Sequence, residues 1–149
     1  MKRTILLVMM MLPIMAMAQL PQFSKIVDKY NGTDDVTAMT IDKQMIAMFA
    51  GEHASFDFID EIQILLSEDA TTSQAIIKEA KKAVKKSKIE ELISANDDGA
   101  KFTVYTKSNN DTYTHIVVIV ENDEPSGFIV ITGDIPQDKL NEVVKIANM

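Results

Sequence analysis

Phe23, Ile26, Val27 and Tyr30 recur at helical spacing, so one side of the segment is apolar; Pro21 suits its first turn and Asn31-Gly32 stops it. Val36 to Ile41 is rich in β-branched residues and predicts a short strand. A second helix follows, capped by Asp42 and ended by Gly51, with Met45, Ile46, Met48 and Phe49 as its expected buried side. Ile59 to Leu66 alternates, placing Ile62, Ile64 and Leu66 on one face and Glu61 and Gln63 on the other, the pattern of a half-buried strand. Thr71 and Gln74 have capping-box spacing ahead of a helix that runs to about Lys86. Its stripe is Ile76, Ile77, Ala80, Ala83 and Val84.

From Lys88 onward, short β-prone runs alternate with turn clusters at Asn96 to Gly99, Ser108 to Asp111 and Asn122 to Gly127. Four strands are predicted: Ile89 to Ala95, Lys101 to Lys107, Thr112 to Glu121 and Gly127 to Thr132. Asp98-Gly99 is a favoured hairpin pair, and such short connections make neighbours antiparallel. Ile116 to Val120 and Phe128 to Ile131 are apolar on both alternating sets, so these strands belong at the centre, under helices or in an interface. After Gly133-Asp134, Pro136 is expected to open a last helix with Leu140, Val143, Val144 and Ala147 facing inward. The fold class expected is α+β: an antiparallel sheet with a C-terminal four-strand meander and helices packed mainly on one face.

The first residues follow a different logic. Lys2 and Arg3 precede an apolar run from Ile5 to Met15 and the small-x-small site Ala16-Met17-Ala18, so residues 1–18 read as a signal peptide and 19–149 as a single domain. Most of the ten methionines lie in this leader. The run is shorter than the roughly 20 residues of a spanning helix, and no transmembrane segment is expected in the mature chain. The 149 residues carry 22 acidic against 15 basic groups, a net charge of −7, which argues against a nucleic-acid partner. The absence of cysteine excludes disulfides, a thiolate nucleophile, and a lipid anchor at the end of the leader.

No catalytic or cofactor motif stands out. His53 and His115 lack metal-ligand spacing, and Ser55, Ser67, Ser94 and Ser126 lack a nucleophile-elbow context. Acidic pairs such as Asp34-Asp35, Asp60-Glu61, Glu68-Asp69 and Asp97-Asp98 fall mostly in turns and at helix starts, where carboxylates accept backbone N–H bonds. The most unusual charge feature is the set Lys78, Lys81, Lys82, Lys85, Lys86 and Lys88, six lysines within 11 residues. They read either as a solvated face suited to the helix's negative end or, with Lys78, Lys81, Lys82 and Lys85, as a docking face for an acidic partner or anionic headgroups.

The strand Ile62 to Leu66 ahead of Ser67-Glu68-Asp69, the Asp97-Asp98-Gly99 turn before Phe102 to Tyr105, and Phe128 to Ile131 leading into Gly133-Asp134-Ile135 with Leu140 behind resemble the domain-of-unknown-function family numbered 4252. That family comprises small exported proteins, mostly of Bacteroidetes. The resemblance implies a cell-envelope role, with some members beside envelope-stress sigma-factor genes, and implies no catalytic residue or cofactor. The expected function is therefore that of a non-enzymatic interaction module, periplasmic or secreted, with an envelope protein as partner. One alternative is a carrier of an apolar ligand lined by Met39, Met45, Met48 and Phe49, and another is a hydrolase.

Overall fold

A computed structural model describes residues 20–50 and 58–141, apart from the side chains of residues 49 and 50. Six antiparallel strands form one sheet: β1 (Val36–Asp42), β2 (Ile59–Ser67), β3 (Glu90–Asp97), β4 (Ala100–Asn109), β5 (Thr112–Glu121) and β6 (Ser126–Pro136). Their spatial order is β1-β2-β6-β5-β4-β3. The last four strands are thus the expected meander, and β2 pairs with the far side of β6. Helix α1 (Pro21–Tyr30) precedes β1, α2 (Lys43–Ala50) joins β1 to β2, and α3 (Ala70–Ser87) carries the chain across the sheet from β2 to β3. Asp98 and Gly99 both adopt positive φ, as the two-residue hairpin between β3 and β4 requires.

Strand alternation sends successive side chains of β5 to opposite faces, and both faces are buried within the chain. Val117 and Ile119 join Leu65, Phe128 and Val130 beneath Phe23, Ile26 and Val27 of α1 and Ile76, Ala80, Ala83 and Val84 of α3. Phe23 meets Phe128 edge to face at 5.2 Å. On the other face Ile116, Val118 and Val120 join Ile62, Val104, Ile129 and Ile131, together with Ile46 of α2 and Leu140. Helical residues therefore meet both faces. An open second face of β5, one of the places where a partner was expected, does not exist.

Several local expectations are revised. β2 is buried on both sides rather than one, because Leu65, fully enclosed, lies under α1 and α3 while Ile62 belongs to the opposite cluster. The cap of α3 is Asp69, not Thr71: its carboxylate accepts the Thr72 N–H at 2.9 Å and the Thr72 hydroxyl at 2.8 Å, two bonds that a threonine oxygen at position 71 does not provide. Asp42 does cap α2, accepting the Met45 N–H at 2.9 Å. Of that helix's expected buried side, however, only Ile46 is enclosed; Met45 and Met48 are exposed, and the Phe49 side chain lies outside the described residues. β6 runs through Gly133 to Pro136 instead of stopping at Thr132, so the last helix does not open at Pro136: a short 3-10 turn (Gln137–Lys139) comes first, and Leu140 and Asn141 after it are helical. Proline completes this strand because its ring suits extended backbone and its missing N–H matters least at an end. Leu140 is buried as expected, while Val143, Val144 and Ala147 lie outside the described residues.

The extension of β6 explains one glycine. A Cβ on Gly133 would lie 2.1 Å from the Phe58 carbonyl oxygen, which accepts the Asp134 N–H at 2.8 Å. A rigid backbone cannot give way as a side-chain tip can. Gly133→Ala is expected to destabilise the fold by about 1–3 kcal/mol in urea titration; unchanged stability would contradict this close approach.

Candidate functional site

Helix α3 is amphipathic in the way its sequence demands. Ser73, Ile76, Ala80, Ala83 and Val84 are buried, and Lys78, Lys81, Lys82, Lys85 and Lys86 are exposed. Lys85 and Lys86 occupy the last turn, where the helix dipole favours cations, and Lys88 ends the helix in the left-handed conformation. The lysines divide by neighbour. Lys81 pairs with Glu121 of β5 at 2.8 Å, and Lys82 acts electrostatically on Glu79. Among the described residues, Lys78, Lys85 and Lys86 have no acid within ion-pair distance.

Among the described residues, clefts lie on both sides of the helix. The larger, of about 820 Å³, lies between the first half of α3 and the β5–β6 loop, with Lys78 and Lys81 facing Glu68, Glu121, Asp123 and Glu124. Ser126 holds that loop: its Oγ accepts the Asp123 N–H and donates to the Asp123 carbonyl. The smaller cleft, about 290 Å³, runs between α1 and α3 and brings Lys25, Lys82 and Lys86 together with Glu79.

Glu79 anchors α1 to α3, a role the sequence pattern did not reveal. Its carboxylate accepts a hydrogen bond from Lys29 Nζ at 2.7 Å and another from the Tyr30 hydroxyl at 2.5 Å. Lys29 also lies over the Tyr30 ring, 5.4 Å from its centre. Burial opposes the charge on Glu79, but the bonds from Lys29 and Tyr30 and the charges of Lys29 and Lys82 outweigh it and hold the pKa below the usual glutamate range. The bond to Glu79, then burial, raises the Tyr30 hydroxyl.

The other candidates are dispersed. His115 is buried on β5 with Nδ1 3.0 Å from the Thr114 hydroxyl, and it pairs in register with Thr132 of β6. Ser126 begins the same β6 strand six positions earlier, roughly 20 Å away at the strand rise, and Ser67 is its register partner on β2. Ser94 lies on the exposed end strand, two strands beyond β5. None of these three serines reaches His115; His53 and Ser55 lie outside the described residues. Among the described residues no group of three His, Cys, Asp or Glu is arranged to hold a metal. No described helix is long and apolar enough to cross a membrane. Met39, Met45 and Met48 are exposed and do not line either cleft beside α3.

The family profile described as a domain of unknown function, DUF4252, matches residues 30–143, from the end of α1 through the whole sheet. The chain belongs to the DUF4252 family. Neither the curated proteins nor the solved structures include a match. Within this DUF4252 chain the matched span includes α3, Glu79 and the larger cleft, whereas Lys25 and the rest of the α1 wall of the smaller cleft precede it.

The anchor predicts a pH response. Because the Glu79 pKa is depressed in the folded chain, its contribution is complete above the unfolded value of about 4.3 and is lost as pH falls through the lower folded value. Tyr30→Phe removes one of its bonds and is expected to cost about 1 kcal/mol at neutral pH. In acid titrations Glu79→Gln should flatten this part of the stability profile; an unchanged profile would show that the anchor carries no linkage.

Proposed function

We propose that this DUF4252 chain is an exported bacterial envelope protein that works by binding an acidic protein partner, with α3 as its docking element, rather than by catalysis. The observation carrying this reading is the outward row of Lys78, Lys85 and Lys86, which have no acid within ion-pair distance among the described residues, in a chain of net charge −7. A local positive strip on an acidic body attracts an acidic surface and orients it, while the remainder repels it. Folding alone does not require the strip, since the buried side of α3 supplies its packing.

Export is supported by the basic start and apolar run of residues 1–18, and the lack of cysteine favours an unanchored periplasmic or secreted form. The resemblance to exported relatives encoded near stress-response genes supports a place in envelope stress. The carrier reading is weaker, because Met39, Met45 and Met48 open to solvent. The hydrolase reading is weaker too, because Ser67, Ser94 and Ser126 lie at strand positions remote from His115.

Site-specific photo-crosslinking in the native envelope tests the proposal. A crosslinker replacing Lys85 is expected to capture a protein partner, and one replacing the exposed Met48 is not. Capture from Met48 alone would overturn the docking role of α3.

A further inference from the structure

The sheet ends unevenly. Among the described residues β3 occupies one edge and pairs with β4 alone, and it is exposed at all eight positions, unlike the central strands. Leu92 and Ile93 lie in solvent at 42% and 47% exposure. Neither core cluster includes a residue of β3. The strand thus contributes little to the core, yet it keeps a register with β4 from Glu90 to Asp97, interrupted by one bulge between Glu91 and Ile93. Its outer backbone groups form a template onto which another extended segment can add.

Charge selects the occupant. β3 carries Glu90, Glu91 and Asp97 and no basic residue, and Asp98 follows in the turn. A second copy pairing antiparallel about Ile93 and Ser94 would set Glu90 against Asp97 at both ends, and like charges directly opposite are destabilising. A segment with lysine or arginine at those ends meets the same acids favourably, and apolar side chains between them cover Leu92 and Ile93.

We propose that β3 is an acceptor edge for β-strand addition by an extended basic segment of a protein partner, which would become a seventh strand beside Glu90–Asp97. The site is separate from α3 and its lysines. Leu92 and Ile93 supply apolar contact, and the two ends supply the charge preference.

The test uses the full chain and two short synthetic peptides of alternating valine and threonine, one ended by lysines and the other by glutamates. Fluorescence anisotropy should show the lysine peptide binding about tenfold more tightly, with the preference shrinking as salt rises. Amide hydrogen exchange should slow within Glu90–Asp97 when it binds. A double substitution, Glu90→Lys with Asp97→Lys, lies on exposed positions and should reverse the peptide preference; Lys85→Glu should leave it unchanged. Equal binding of the two peptides, protection elsewhere than β3, or self-association of the chain through β3 would each overturn the proposal.

Discussion

The pairing of β5 with β6 is the constraint on which the rest of the molecule depends. Both strands are apolar on both alternating sets, so neither can face water on either side, and each face must be covered by something else in the chain. On one side the cover is α1 and α3, joined through Phe23, Phe128 and Ile76. On the other, Ile46 and Leu140 join Ile116, Val118 and Ile131. Flanking strands β2 and β4 complete the hydrogen-bond ladder, leaving β1 and β3 as edges.

That arrangement also explains where charge can reside. α3 must cross the sheet to connect β2 with β3, and its inward stripe is fixed by the central strands beneath it. Its outward side is free of packing duties and carries the lysines. The Glu79 anchor then sets how α1 lies against α3 and shapes the smaller cleft. At the far edge, β3 projects beyond the helical cover, so acidic residues there remain solvated at little cost. The lysines of α3 and the acidic edge of β3 are thus placed apart by topology, before any partner is considered.

How far the sequence revealed this depended on the range of the interaction. Ile116 to Val120 announced a central strand because five successive apolar residues leave no polar face, and Asp98-Gly99 announced its hairpin through backbone chemistry. The stripe of α3 was equally readable, including the outward placement of Lys78, Lys81, Lys82 and Lys85. Nonlocal features were not. Tyr30 and Glu79 are 49 residues apart, and no spacing rule joins them. Met45 and Met48 lie on a periodic apolar pattern, yet among its described side chains α2 brings only Ile46 into the core. Pro136 is compatible with either a helix start or a strand end, and the continued pairing of β5 with β6 through Thr112 and Pro136 selects the strand.

Native-state hydrogen exchange measured residue by residue is the most direct test of this account. The amides of Ile116–Val120 and Phe128–Ile131 should exchange only through global unfolding, while those of Glu90–Asp97 should exchange through much cheaper local opening. Exchange in β5 as fast as in β3 would contradict a molecule organised around a doubly covered central pair with an open acidic edge.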